Sequence, residues 1–281
     1  MSAQSNPSLR TAAALRTLQS QGRYLFLASE FALLTGRAGQ TSATRLALSR
    51  LARAGQITSL GKQRPSTWLI VPPEHQHFGA PPITWWLDDF LRDAEPGYYL
   101  ALLSAARHWG SAHFASQVTQ VMLARRRRPL TVGRLKLEFI SKRNVARTPV
   151  EIVSHSVVAP YRVSTRAATL LDLVRHQNEV GGLETIARIA RDLVPKLTRH
   201  GLIEALNALD QTVVAQRLGF MLSHIDKQLS RAIAGWLEPR RIQKQALDPS
   251  AGRRDGAVPY SREWGIEFTP QQYALLREIQ P

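Results

Sequence analysis

Residues Gln40–Val71, QTSATRLALSRLARAGQITSLGKQRPSTWLIV, decide the fold of the first part of this 281-residue chain. Their first half predicts an amphipathic helix that Thr41 or Ser42 caps and Gly55 ends. The inward side of that helix repeats at spacings of three and four: Thr44, Ala47, Leu48 and Leu51. The segments 57–60 and 67–71 are β-prone and flank a turn-rich tip, so they predict a hairpin.

Two further helices are predicted upstream of this stretch. Residues 8–20 have an apolar face and are followed by Gly22, while Ser29 can cap a short helix that Gly36 ends. Three helices and a hairpin, in this order, are typical of a winged helix-turn-helix. Such a domain reads DNA in many proteins, but the same shape can also dock other proteins.

The outward face of the third helix is small and cationic, as a helix that enters the major groove has to be. Arg45, near the helix N-terminus, is the best candidate for a base contact, and the free N–H groups of that N-terminus favour phosphate. The residues predicted to bind DNA are Gln40, Thr41, Ser42, Arg45, Ser49, Arg53, Lys62 and Arg64. Exposed Arg and Ser side chains can also be merely solvated.

The charge balance points in the same direction. The chain has 37 Lys and Arg against 21 Asp and Glu, a formal net charge of +16, which attracts polyanions such as nucleic acid. A high-GC genome also enriches Arg, so the distribution matters more than the total. Residues 1–80 hold nine basic and two acidic side chains, a net charge of +7, which places a dense positive region in the predicted DNA-binding part.

Length and composition predict two soluble domains of class α+β. We assign residues 1–72 to the winged helix-turn-helix, 73–82 to a Pro-rich linker and 83–281 to a larger C-terminal domain. That domain is predicted to contain helices over 84–94 and 98–110, a small antiparallel sheet, and then helices that include a long amphipathic stretch over 215–237.

Several functional classes are disfavoured. The chain has no Cys and no apolar run long enough to cross a bilayer, so we expect a cytoplasmic protein without membrane contact. We predict no catalytic residue, no metal site and no cofactor. His75 and His77 lack further ligands, Asp88 and Asp89 are adjacent on one helix, and Glu138 precedes Lys142 by four rather than two.

The run Arg125, Arg126, Arg127 and Arg128 is the densest charge in the sequence. Four adjacent guanidinium groups repel each other unless solvent or an anion lies beside them. The run can be a solvated turn between strands, or a patch for nucleic acid or an acidic protein surface.

Four segments of the second part resemble one known family. They are YYLALLSAA (98–106) with Gly110, YRVST (161–165) leading into TLLDL (169–173), GGL (181–183) and QRLG (216–219). In this order, after a winged helix, they are similar to the AbiEi antitoxins of type IV toxin-antitoxin systems, over most of residues 8–237. The chain departs from that pattern at residues 166–168, RAA, where many members carry Pro and Glu.

The resemblance implies an autorepressor and antitoxin. Its winged helix would bind double-stranded operator DNA at inverted repeats, and its C-terminal domain would neutralise a nucleotidyltransferase-like toxin, with or without direct contact. Residues 165–173 and 181–183 also fit plain structural roles: Thr165 can cap a helix with Asp172 facing outward or bonding a neighbouring turn, and Gly181-Gly182 can be a connection. Two other functions stay open: a nucleic-acid-processing enzyme targeted by a winged helix, and a repressor that senses a small molecule.

Overall fold

The structure is a computed structural model that describes residues 7–61, 65–111, 118–154, 158–250 and 258–278. It has the predicted α+β class, with an N-terminal group of three helices and a three-stranded sheet, followed by a larger mixed part. Within the described residues no helix has the length and apolar character to span a membrane.

The N-terminal unit contains the three predicted helices and the predicted hairpin. Its elements are α1 (Pro7–Ser20), β1 (Leu25–Leu27), α2 (Ala28–Leu34), α3 (Thr41–Arg53), β2 (Ile57–Ser59) and β3 (Thr67–Ile70). The strand order is β1-β3-β2, and both neighbours run antiparallel to β3. This order of helices and strands is compatible with a winged helix-turn-helix. Strand β1, three residues long, was not predicted.

Side chains alternate between the two faces of a strand, and both faces of this small sheet are buried. One face packs on α1, α2 and α3 and includes Phe26, Ile57 and Ile70. The opposite face packs on the second part of the chain and includes Leu25, Leu60 and Leu69. The sheet is therefore a layer common to two hydrophobic clusters.

The Pro-rich segment is packed against its surroundings. Residues Pro73–His75 form a short 3-10 turn, and the Trp85 ring contacts Tyr24 and His75 at centroid distances of 4.8 and 5.1 Å. The N–H of Arg134 donates to the carbonyl of Phe78 at 2.8 Å, which ties the segment to a turn of the larger sheet. The boundaries at 72 and 83 remain a prediction, although the two sides pack together here.

The second part is built on a six-stranded sheet. Its first elements are α4 (Leu87–Leu91), β4 (Tyr99–Leu100), α5 (Leu102–His108), β5 (Val118–Leu123), β6 (Leu130–Val132), β7 (Leu135–Ser141), β8 (Val150–Val153) and β9 (Tyr161–Ser164). The strand order is β6-β7-β5-β4-β9-β8. The pairs β5–β7 and β4–β9 are parallel, so the prediction of an antiparallel sheet was wrong. The helix predicted over 84–94 is only five residues long, and Tyr99–Leu100, predicted as helix, is a strand that pairs on both sides.

Helices cover one face of this sheet. They are α6 (Arg166–Arg175), α7 (Gly182–Leu193), α8 (Arg199–Leu209), α9 (Thr212–Leu222) and α10 (Lys227–Leu237). Helix α6 is central and contributes Leu170, Leu171 and Leu173, all at most 1% exposed, to the main core. The stretch predicted as one helix over 215–237 is two helices, because Asp226 caps α10 through bonds to the N–H groups of Gln228 and Leu229.

The chain continues with a small sheet and a last helix: β10 (Gln245–Ala246), β11 (Tyr260–Ser261), β12 (Ile266–Glu267) and α11 (Pro270–Glu278). The strand order is β10-β12-β11, and Trp264 and Ile266 join the main core. We call residues 243–250 and 258–268 the C-terminal segment. It lies against α9.

Candidate nucleic-acid interface

The outward face of α3 is as the sequence predicts. Thr41, Ser42, Arg45 and Arg53 are exposed, Ser49 is half-buried, and Gln40 is exposed just before the helix. Thr44, Leu48 and Leu51 are the buried residues of α3. Lys62 and Arg64 lie outside the described residues.

Two exposed residues of this face were missed. Arg50 is exposed in the last turn of α3 and adds a third guanidinium to the helix surface. Leu46 is 52% exposed directly after Arg45, although an apolar side chain that size is usually buried. Helical periodicity places both outside the inward stripe of α3 and could have identified them.

Helix α3 is positioned by a tight turn after α2. Gly36 and Gly39 have φ of +68° and +76°, a left-handed conformation that other residues adopt only with strain. The Thr35 hydroxyl donates to the carbonyl of Phe31 at 2.7 Å and closes the end of α2. The side chain of Gln40 does not cap α3, so the first N–H groups of the helix remain available to an acceptor.

The only acidic residue of positions 1–72 is paired with an arginine. Glu30 accepts from both terminal nitrogens of Arg23, at 2.5 and 2.9 Å, and this hydrogen bond raises the pKa of the Arg23 guanidinium. The carboxylate is thereby neutralised beside α2. Helix α3 itself contains no acidic residue, so its positive side chains have no competing carboxylate on their own helix.

A groove of about 570 Å³ lies between α2, α3 and the hairpin. Ala32, Leu33, Leu48 and Trp68 supply most of its apolar wall. Its polar lining is Ser29, Arg37, Gln40, Thr41, Thr44, Arg45 and Ser66. The groove thus shares three of the predicted DNA-binding residues.

The arginine run follows β5 and is not uniformly solvated. Arg125, Arg126 and Arg128 are exposed. The Arg127 guanidinium lies 4.3 Å from the Phe90 ring centroid and 5.3 Å from that of Phe139, and burial lowers its pKa. Three of the four cations are accordingly available to a partner, while the fourth is packed on two aromatic rings.

Asp172 was predicted to face outward or bond a neighbouring turn, and this was wrong. It is fully buried on α6, where Oδ1 lies 2.8 Å from Nζ of Lys142 and Oδ2 accepts from the Tyr99 hydroxyl at 2.7 Å. Lys142 Nζ also contacts the Tyr99 and Thr148 hydroxyls at 3.0 and 2.8 Å. Burial raises the pKa of Tyr99 well above its usual value. A satisfied ion pair here replaces the predicted surface carboxylate.

The QRLG motif holds the C-terminal segment. Gln216 Nε2 donates to the carbonyls of Gln243 and Trp264, both at 2.7 Å, and Arg217 Nε donates to the carbonyl of Ala246 at 2.9 Å. Burial lowers the pKa of Arg217. A Cβ on Gly219 would lie 1.9 Å from the Trp264 ring, so only glycine fits. The motif is a docking surface within the chain.

The residues weighed for catalysis are engaged in other contacts. Asp88 accepts from Tyr98 at 2.7 Å, Glu138 pairs with Lys136 at 2.8 Å, and Lys142 belongs to the buried pair. His75 and His77 contact the rings of Trp85 and Phe78. Across the described ranges, no three His, Cys, Asp or Glu side chains are grouped so that they could share a metal ion.

Comparison with known proteins gives a family match within the second part. Residues 99–224 match the family model described as the AbiEi antitoxin C-terminal domain. The match includes all four segments that carried the resemblance, except Tyr98 at its edge. No curated protein matches the sequence.

A solved structure shows the same fold over nearly the whole chain. It is the crystal structure of the RV2827C protein from Mycobacterium tuberculosis, which is 18% identical with a TM-score of 0.64. The similarity covers 96% of this chain and 94% of that one. The N-terminal unit and the C-terminal segment, both outside the family match, are thus included in the common fold.

Proposed function

We propose that the whole chain is a DNA-binding autorepressor and the antitoxin of a type IV toxin-antitoxin system, because residues 99–224 match the family model of AbiEi antitoxin C-terminal domains. In this proposal the N-terminal unit binds inverted repeats in the operator of its own gene. The second part neutralises a nucleotidyltransferase-like toxin encoded beside it. Such a protein acts in the cytoplasm and has no catalytic site.

The face of α3 carries the DNA-binding half of the proposal. Arg45, Arg50 and Arg53 are exposed on one helix, the helix N-terminus is uncapped, and Glu30 is paired with Arg23. A cationic helix with free N–H groups supplies base and phosphate contacts together. Lys62 and Arg64, which the sequence places between β2 and β3, are proposed as further contacts with the DNA backbone.

The test is fluorescence anisotropy of the full chain with upstream DNA and with a scrambled duplex. Arg45→Ala should reduce the preference for operator DNA by about 1 to 3 kcal/mol, because a base contact carries specificity. Arg53→Ala should weaken both duplexes alike, because a phosphate contact does not read sequence. Arg231→Ala, which removes an exposed charge from α10, is the control and should leave both affinities unchanged.

An equal loss on both duplexes for Arg45→Ala would remove this residue from base reading. If the wild-type chain binds operator and scrambled DNA equally and weakly at all salt concentrations, the repressor proposal itself is wrong.

The exposed arginines 125, 126 and 128 are the patch we propose for toxin neutralisation, either on an acidic toxin surface or on an RNA that the toxin uses. Long, exposed cations steer an anionic partner and determine the rate of encounter. Arg127 is left out, since it packs on Phe90 and Phe139.

Co-expression with the toxin tests this patch. The triple variant Arg125→Glu, Arg126→Glu, Arg128→Glu should fold and fail to rescue growth. The matched triple variant Arg191→Glu, Lys196→Glu, Arg199→Glu makes the same charge change at other exposed positions and should rescue. Full rescue by the first variant would show that the arginine run is a solvated loop.

The absence of catalysis is proposed on the contacts of Glu138 and Lys142, which point to separate partners. We expect no hydrolysis of DNA, RNA or nucleotides with Mg²⁺ or Mn²⁺. Activity that co-purifies with the chain and disappears in Asp88→Asn or Glu138→Gln would favour the nucleic-acid-processing enzyme.

A further inference from the structure

The groove between α2, α3 and the hairpin has features of a ligand site that DNA binding does not use. Its floor and walls are apolar, with Ala32, Leu48 and Trp68 among them, whereas a phosphate contact needs only the polar rim. Its volume of about 570 Å³ falls within the range of small-molecule sites. The Trp68 indole is held in place because Nε1 donates to the Ser66 hydroxyl at 3.1 Å.

Two buried polar atoms at this groove are unsatisfied. The hydroxyl of Thr44, a residue 6% exposed, and Nη1 of Arg37 have no hydrogen-bond partner within the described part of the chain. Both residues line the groove. Arg37 also lines a second cavity with residues of α1 and the end of α3. A buried polar group without a partner costs free energy, so a ligand acceptor that reaches either group would satisfy it.

The charge of the groove determines the kind of acceptor. Arg37 and Arg45 line it, the uncapped N-terminus of α3 ends in it, and none of its lining residues is acidic. A helix N-terminus favours an anion. An apolar cleft with a positive end fits a molecule with an apolar body and one anionic group.

We propose that this groove binds an amphipathic organic anion, a carboxylate or sulfonate with an aromatic or aliphatic body, and that this ligand excludes operator DNA. The exclusion follows from the residues held in common, since Gln40, Thr41 and Arg45 line the groove and lie on the predicted DNA-binding face. The exclusion of DNA rests on the proposed function, whereas the binding of the ligand does not. The chain would then be a repressor released by a small anion.

The probe is 8-anilinonaphthalene-1-sulfonate, titrated into the full chain and followed by its fluorescence. One saturable site is expected. Arg37→Gln should weaken dye binding about tenfold through the lost charge, while Arg53→Gln, with the same charge change on the outer face of α3, should stay within twofold. Ala38→Trp should fill the groove and abolish binding, and Ala43→Trp, exposed outside the groove, should not.

Thr44→Val separates a ligand contact from a packing role. It removes an unsatisfied hydroxyl, so the free protein should unfold at a higher urea concentration while its dye affinity falls two- to fivefold. A purely structural threonine would change both in the same direction.

Competition completes the test. Saturating dye should raise the apparent Kd for operator DNA at least tenfold, and this effect should vanish in Ala38→Trp. Dye affinities that are identical in wild type, Arg37→Gln and Ala38→Trp would overturn the ligand site. If the dye binds the groove but does not compete with operator DNA, only the proposed exclusion of DNA is wrong. If the chain does not bind operator DNA even without dye, the proposed repressor function is wrong but the ligand site is not.

Discussion

Lys142 and Asp172 form a salt bridge of 2.8 Å in the interior of the second part, with side chains 4% and 1% exposed. The pair joins the end of β7 to the middle of α6, and Tyr99 and Thr148 satisfy the remaining polar atoms. The segment TLLDL, which carried part of the family resemblance, thus contains the carboxylate that connects the sheet to its central helix.

Removing one partner of this pair should be more damaging than removing both. Asp172→Ala leaves the Lys142 ammonium buried without its counter-ion and should cost about 3 to 5 kcal/mol of unfolding free energy. The double variant Lys142→Met, Asp172→Leu replaces the pair by apolar side chains and should lose less. Urea denaturation followed by circular dichroism measures both, and a double variant as unstable as Asp172→Ala would contradict this expectation.

The contact between Gly219 and Trp264 predicts contrasting effects of one substitution at two helical glycines. Gly219→Ala places a Cβ 1.9 Å from the indole ring and should destabilise the chain by about 1 to 3 kcal/mol or displace the C-terminal segment. Gly235→Ala has open space around its new Cβ and should stabilise α10 by up to about 1 kcal/mol. Thermal melts of the two variants, with Trp fluorescence as the probe, compare them directly.

The sheet of the N-terminal unit is buried on both faces, one of them against the second part, so we expect both parts of the chain to unfold together. Leu69 is fully buried in the cluster common to both, so Leu69→Ala should cost about 2 to 5 kcal/mol and retain a single transition. Leu46→Ala, at an exposed position, should change stability by less than about 0.5 kcal/mol. Two separate transitions in calorimetry of the wild type would show that the parts are independent and that the Pro-rich segment acts as a true linker.

The arginine run should divide into one packed and three free side chains. Arg127→Ala should lower the unfolding free energy by about 0.5 to 2 kcal/mol, because the guanidinium loses contacts with Phe90 and Phe139. The single variants Arg125→Ala, Arg126→Ala and Arg128→Ala should be neutral in the same urea titration. Equal effects at all four positions would mean that Arg127 has no special packing.

Asp89 should make stability depend on pH. Its Oδ2 is buried without a hydrogen-bond partner among the described residues, and burial raises its pKa above the usual 3.8. The folded state therefore favours protonated Asp89. The stability that protonated Asp89 contributes is complete below pH 3.8 and is lost as pH rises through its folded-state pKa. Asp89→Asn should therefore be more stable than wild type at pH 7, with the difference shrinking toward pH 4. Asp93→Asn, at a side chain 97% exposed, is the control and should show no such trend.

Local patterns in the sequence were enough for α1, α2, α3 and the hairpin. The spacing of Thr44, Leu48 and Leu51 indicates one buried stripe, and the glycines after each helix mark its end. Exposure of Arg45 and Arg53 follows from the same period. The role of these residues in DNA binding is still a prediction, as is that of Lys62 and Arg64.

Strand β1 and the burial of both faces of the N-terminal sheet could not be predicted in this way. A three-residue strand has no period to detect, and its register, with Leu25 opposite Leu69, depends on a partner 44 residues away. The parallel pairing of β5 with β7 likewise requires that β6, which comes between them in the chain, lies at the edge of the sheet beyond β7. The turn residues between these strands do not reveal this arrangement.

By itself, the sequence determined the order of the helices in the N-terminal unit, the cationic face of α3 and the match of residues 99–224 to their family model. These features depend on neighbours within a few residues or on short segments in a given order. Only the tertiary structure decided that Asp172 is buried against Lys142, that Arg127 is packed while its neighbours are exposed, and that QRLG holds Gln243, Ala246 and Trp264. The physical reason is the same in each case. A polar side chain is buried or exposed according to whether a distant part of the chain brings a partner that compensates its desolvation, and that partner is visible only in the folded state.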